Sequence, residues 1–370
     1  EIGVRLVGSE MCIRDRYEYY VAGDHMDSED LTIHRKGCFT TDDVGPAFIR
    51  VFKPGQILYG SRRTYLKKIA VADFEGVCAN TTFVFETKDP HAFEQRLLPF
   101  IMLSKDFTTW SIAKSKGSTN PYVLFSDLAD FEFELPPLEE QKVLVDKLWA
   151  AYRLKEAYKK LLVATDEMVK SQFIEIFYGM ETTPVKDYID DSFPGEWGTE
   201  DKDGNGVKVI RTTNFTNSGK LNLADVVTRS IEDRKVVRKQ IKKYDTILER
   251  SGGTADNPVG RVVLFEEDNL FLCNNFTQVL RFKDVDPRFA FYALYYFYQT
   301  NRTAIRSMGS KTTGIQNLNM SKYLEIGIPN ASDEDQKAFV TIAEQADKSK
   351  FELKQCIENI DKVIKSLING

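Results

Sequence analysis

The chain has 370 residues, 42% hydrophobic and 12% aromatic, enough to give each of two domains a core of its own. A net charge of −5 argues against a generally basic nucleic-acid coat and leaves room for local basic faces. No apolar run approaches the length of a membrane span, so no membrane association is expected. The five cysteines (Cys12, Cys38, Cys78, Cys273, Cys356) are scattered and form no C-x-x-C, which suggests reduced thiols in a cytoplasmic protein. The histidines His25, His34 and His91 have no metal-ligand spacing.

In chain order, residues 1–16 match nothing later in the sequence and are expected to be a non-native leader; the alternative is a strand over Val4 to Val7. Residues 17–137 read as a first domain, expected to be N-terminally incomplete, with strands at Phe48–Phe52, Ile57–Tyr59, Lys67–Ala72, Thr82–Glu86 and Phe131–Leu135. Ala92 to Leu103 reads as a helix, and Ile112 to Asn120 as a polar loop. Pro136 and Pro137 end this domain, and residues 138–180 form a first long helix. Ala151, Leu154, Tyr158, Leu161, Thr165 and Met168 are its expected coiled-coil seam.

Residues 181–329 repeat the series. Strands are expected at Val207–Arg211, Tyr244–Arg250, Val259–Phe265 and Gln278–Phe282, an aromatic helix at Phe289–Tyr298, and a polar loop at Arg302–Asn319. Residues 330–370 form a second long helix carrying Phe339, Ile342, Ala343 and Ala346, then Ile357, Ile360, Ile364 and Leu367. Landmarks recur at nearly constant offset. Gln141-Lys142 and Gln336-Lys337 are 195 residues apart, as are Cys78 and Cys273 with their following Asn and Thr residues. Ile57-Leu58 with Ser61 precedes Ile247-Leu248 with Ser251 by 190, and Gly117-Ser118 precedes Gly309-Ser310 by 192. The chain therefore reads as two copies of one unit, each a mixed α/β (α+β) domain followed by a long helix.

No catalytic constellation repeats in the two copies. Asn120-Pro121-Tyr122 lacks the second proline of an amino-methyltransferase motif, and Gly309-Ser310-Lys311-Thr312 lacks the earlier glycine and strand of a P-loop. No catalytic residue, cofactor or metal is expected. What does repeat is basic and polar surface. Arg62, Arg63 and Lys67 follow one strand; Arg250 and Arg261 follow its counterpart. Lys116 and Ser118, and Lys311 and Thr312, stand in the two matching loops. The window Arg229–Arg250 holds eight cations against four anions, with Arg238, Lys239, Lys242 and Lys243 at its centre. Arg and Lys among small polar groups suit phosphate contacts, and Arg suits base edges, so double-stranded DNA is the expected partner. For any single residue an ordinary solvated face is the better account; the set, in duplicate, favours nucleic acid.

The phrases Leu135-Pro136-Pro137-Leu138-Glu139-Glu140-Gln141-Lys142 and Thr165-Asp166-Glu167-Met168-Val169-Lys170-Ser171-Gln172-Phe173, with the repeat of domain and helix, resemble the specificity subunit of type I restriction-modification systems over residues 17–370. The resemblance implies two target-recognition domains separated by two antiparallel coiled-coil helices. Each domain would read one half of a bipartite, asymmetric DNA target. It also implies two bound methylation subunits, a restriction/translocase subunit joined through the complex, and no catalysis by this chain itself. The second helix departs from the pattern, opening Asn330-Ala331-Ser332-Asp333 where the first has Pro-Leu-Glu. Two alternatives stay open: a specificity subunit serving a fused methylase-nuclease, and a repeat scaffold that binds protein.

Overall fold

The computed structural model describes residues 4–6, 16–254, 256–312 and 315–369. The chain gathers into two compact units, one from Glu1–Leu161 with Glu352–Gly370, the other from Leu162–Phe351. The helices Leu138–Phe177 and Asp333–Asn369 each contribute to both units.

In the first unit, one antiparallel sheet runs Val4–Leu6, Thr82–Thr87, Ile57–Gly60, Ile69–Val71. A second runs Gly37–Cys38, Tyr19–Val21, Gly76–Ala79, Phe48–Phe52, with its two central strands parallel. Val21, Met26, Phe52, Leu58, Ala70, Cys78 and Val84 form one buried cluster between these strands. Ile57, Tyr59, Ile69 and Phe85 point the other way, into a cluster with Phe100, Phe107, Val145, Leu148, Tyr152 and Ile364. Alternate residues of each strand thus serve two cores.

The second unit repeats this plan. Ile189–Pro194, Thr277–Phe282, Thr246–Glu249 and Val262–Leu264 form the antiparallel sheet; Val207–Ile210 and Phe271–Cys273 are the parallel pair of the other. Val4–Leu6 therefore occupies, in its sheet, the place that Ile189–Pro194 has in this one. The cysteines hold equivalent places: Cys78 and Cys273 are both buried, and burial pushes each thiol up to about 12. One feature breaks the repeat. Where the first unit has strand Phe48–Phe52, the second has the helix Asp233–Lys239, none of whose residues is buried.

The pairing corrects one landmark. Leu58 pairs with Val84 and Ile247 with Val279, so Leu58 and Ile247 are the equivalent pair, an offset of 189 where the sequence landmark suggested 190. The single residue matters because neighbouring strand positions face opposite sides, and a one-residue slip would exchange the two cores.

Three local expectations are also corrected. Phe131–Leu135 lies in no strand. The loop expected from Ile112 begins only after a helix, Lys105–Ala113, whose Ser104 hydroxyl caps the Phe107 amide at 3.2 Å. Arg302–Asn319 is a helix, Arg302–Met308, followed by the paired strands Gly309–Thr312 and Ile315–Leu318.

The first long helix begins at Leu138 as expected and ends at Phe177, two residues before Gly179 at φ 84. Its buried face differs from the expected seam. In the first unit the helix buries Val145, Leu148 and Tyr152, and in the second Val169, Phe173 and Phe177. Leu154, Leu161 and Met168 lie 45–48% exposed. Aromatic contacts with the rest of each unit, such as Trp149 on Phe100 and Phe173 on Phe289, set the face turned inward. The second long helix buries Phe339, Ala343, Ala346 and Ile364 as its spacing requires. The helices exchange ion pairs within each unit: Lys155 to Asp361 at 2.6 Å in the first, Lys350 to Asp166 at 2.6 Å in the second. Among the described residues no helix is long and apolar enough to cross a membrane.

Candidate nucleic-acid interface

In the first unit the chain leaving Ile57–Gly60 makes a compact surface turn. Thr64–Leu66 is a single 3-10 turn bracketed by Arg63 and Lys67, both left-handed, at φ 50 and φ 48. A second loop closes on it. The Val123 amide donates to the Ser61 carbonyl at 3.0 Å, the Arg63 amide to the Pro121 carbonyl at 2.7 Å, and Thr64 and Ser115 share a hydroxyl contact at 3.0 Å. Lys116 and Tyr122 exchange backbone hydrogen bonds at 2.8 and 2.9 Å, closing a hairpin whose tip carries Ser118. Four expected residues, Arg62, Arg63, Lys116 and Ser118, thus share one exposed face. The Arg62 guanidinium lies 5.4 Å from the Tyr122 ring centre, and Lys116 pairs with Asp127 at 3.1 Å. Lys67 turns to Glu29 at 2.7 Å, and that hydrogen bond holds the Glu29 carboxyl below its ordinary range.

The second unit builds the same junction from other residues. Ser251–Gly252 pairs with Ile315–Leu318, and the Leu318 amide donates to the Arg250 carbonyl at 2.8 Å. Arg250 reaches Gln278 at 3.4 Å. Lys311 and Thr312 stand on the hairpin strand Gly309–Thr312, opposite Gln316 and Ile315. Arg62 opposite Tyr122 corresponds to Ser251 opposite Asn317. Tyr122 and Asn317 are functional candidates that composition did not reveal; the 195-residue offset that links Gln141 to Gln336 links them too.

The family of type I restriction modification DNA specificity domains matches residues 49–162 and 192–362, more than half of the chain. The chain belongs to that family. Its sequence is 26% identical over 149 residues to the specificity subunit of the type I restriction enzyme EcoDI of Escherichia coli, an alignment spanning 39% of this chain and 33% of that subunit. Two solved structures share its fold. One comes from work on complex assembly and conformational transition of the type I R-M system; it has a TM-score of 0.55 and 17% identity, covering 100% of this chain and 97% of its own. The other is the type I restriction-modification S subunit of M. genitalium, with a TM-score of 0.52 and 14% identity, covering 99% of this chain and 92% of its own.

Of the remaining expected residues of this specificity chain, Arg238, Lys239, Lys242 and Lys243 lie in or just after the helix Asp233–Lys239, and Arg261 lies beside the second junction, its carbonyl accepting from the Glu249 amide at 2.8 Å. Arg261 is largely buried, its Nε 2.6 Å from the buried Glu249 carboxylate. Arg238 makes two hydrogen bonds to Asp191, at 2.9 and 3.2 Å, above the Phe193 ring. Lys239 pairs with Glu196 at 3.0 Å and Lys243 with Asp268 at 2.9 Å. Lys242 is exposed. Three of the four central cations of the basic window thus meet acids from outside it.

One described trio, Asp30, His34 and Glu156, brings possible metal-ligand atoms within 4.8 Å of one another. The Lys159 ammonium already stands 2.9 Å from Asp30 and 2.8 Å from Glu156, where a cation would sit. The Tyr152 hydroxyl donates to Asp30 at 2.6 Å. Burial acts to raise the Asp30 carboxyl, but the bonds from Tyr152, Lys159 and the Thr32 amide outweigh it and hold the group at about 2. This cluster fastens the domain to its long helix.

Proposed function

We propose that this chain is the non-catalytic, sequence-reading subunit of a cytoplasmic type I restriction-modification complex. Each unit reads one half of a bipartite, asymmetric target in double-stranded DNA. The first unit does so through Arg62, Arg63, Lys116 and Ser118, the second through Arg250 and the hairpin bearing Lys311 and Thr312. Methylation subunits, two in number, dock on the long helices, and a restriction/translocase subunit joins through them. The observation that carries this reading is the duplicated junction of two loops on equivalent strands, with different side chains on the same frame. A shared frame with unlike side chains is what two recognition domains for unlike sequences require.

The test is a salt series on duplex binding, using the motif found by methylation mapping in a host carrying the chain and its neighbouring methyltransferase. Phosphate contacts make affinity fall steeply with salt. Arg62→Ala with Lys116→Ala should weaken binding and flatten that dependence. Absence of DNA affinity at low salt would leave the protein-binding scaffold as the better account.

A further inference from the structure

The two loop junctions differ at one backbone position in a way that singles out a side chain. Gly60 pairs with Thr82 and Glu249 with Thr277, which makes Arg63 the equivalent of Gly252. The closing contacts agree: the Arg63 amide donates to Pro121, and Gly252 pairs with Gln316, 195 residues on from Pro121. Both residues have positive φ, 50 for Arg63 and 113 for Gly252. Glycine adopts such a conformation without cost, whereas a side chain with a Cβ is strained there. The second unit uses the unstrained residue and the first does not. The conformation is held on both sides, by the Arg63 amide donating to the Pro121 carbonyl at 2.7 Å and by the Arg63 carbonyl accepting from the Leu66 amide at 2.8 Å.

Left-handed non-glycine residues held by over-determined surroundings are concentrated at functional sites. Among the described residues the Arg63 side chain makes no bond that would offset its backbone. It is exposed and has no hydrogen bond or ion pair among the described residues, whereas Arg62, Lys67 and Lys116 are each engaged by Tyr122, Glu29 and Asp127. A strained arginine with an uncommitted guanidinium, on a rigid turn beside a hairpin, is pre-organised for an external acceptor with two sites. On a DNA edge that acceptor is guanine, through O6 and N7.

We propose that Arg63 is a specificity-determining residue that reads a guanine in the half-site bound by the first unit. This rests on the DNA-reading face proposed above. It goes further by separating a base contact from the phosphate contacts around it.

Arg63→Gly provides the test, because glycine is what the equivalent position already carries. The full-length variant should keep or raise its Tm. It should lose about tenfold or more in affinity for the mapped duplex, while nonspecific binding changes much less. Arg63→Lys should not restore the loss, since a point charge replaces a two-pronged donor. Replacing each guanine of the half-site in turn by 7-deazaguanine should expose one position that weakens parent binding and has no further effect in Arg63→Gly. Parent-like affinity in Arg63→Gly, full rescue by lysine, or no sensitive guanine would overturn the assignment. If Arg62→Ala with Lys116→Ala still weakens binding in those cases, the face stands and only Arg63 is misassigned. If that double variant is silent too, the face itself is wrong.

Discussion

The side-chain oxygen of Gln141 accepts the amide of Glu94 at 2.9 Å, while its nitrogen donates to the Pro136 carbonyl at 2.8 Å and the Ala92 carbonyl at 3.0 Å. Gln336 does the same in the other unit, accepting from the Asp286 amide and donating to the Ala331 carbonyl, both at 2.9 Å. Each glutamine is buried in the first turn of a long helix and ties it to the turn before the domain's own helical segment. Gln141→Leu keeps the volume and strands three backbone groups, so it should cost about 1–3 kcal/mol in urea unfolding. Gln336→Leu should do likewise, and the two losses should add. A neutral result for either would mean that water replaces the side chain.

Asp30 gives the stability a defined acid limb. Its folded value of about 2 lies below the ordinary 3.8, so the ionised form stabilises the fold above about pH 4. That stability is lost as pH falls from about 4 through 2. Unfolding measured across this range should show the parent losing its advantage over Asp30→Asn, with the two curves converging at the acid end. Parallel curves would place the depressed carboxyl elsewhere.

The basic segment Arg238–Lys243 should act through charge alone. Replacing Arg238, Lys239, Lys242 and Lys243 together by alanine should weaken DNA binding across sequences and reduce the salt slope. Asp191, Glu196 and Asp268 already engage three of these cations, so the slope should fall by less than four phosphate contacts would give. Unchanged affinity would mark the segment as solvated surface.

The halves should be separable. Arg250→Ala should relax recognition in one half-site of the mapped motif and leave the bases of the other unchanged, and Arg62→Ala should do the converse. Genome-wide methylation mapping of each variant reads this directly. A continuous motif, or one variant blurring both halves, would exclude the bipartite reading.

Much of the frame was legible because it is written twice. Gln141 with Gln336 and Cys78 with Cys273 are buried at equivalent points, and burial keeps such residues recognisable. The Ile57-Leu58 landmark slipped by one because adjacent apolar residues on a strand buried on both faces carry no alternation to fix the register. The seam through Leu154, Leu161 and Met168 had correct spacing on the wrong face, since periodicity reveals a stripe but not what covers it. The positive charge of residues 229–250 is smaller in the folded chain than in the window for another reason. Its neutralising acids, Asp191, Glu196 and Asp268, lie outside the window and become neighbours only on folding. Nothing local marks Arg63 as left-handed; its φ of 50 shows that, and the strand pairing makes it the equivalent of a glycine in the other unit.

Because Ile364 and its helix complete the core around Val145, Leu148 and Tyr152, the unit whose sheets are made before residue 162 must wait for helix residues made after 351. The second unit, drawn from 162–351 without interruption, can close before it. Order of synthesis and order of completion are therefore reversed. A premature stop near residue 352 would show its damage in the first unit, in the half-site assigned to residues translated long before the lesion.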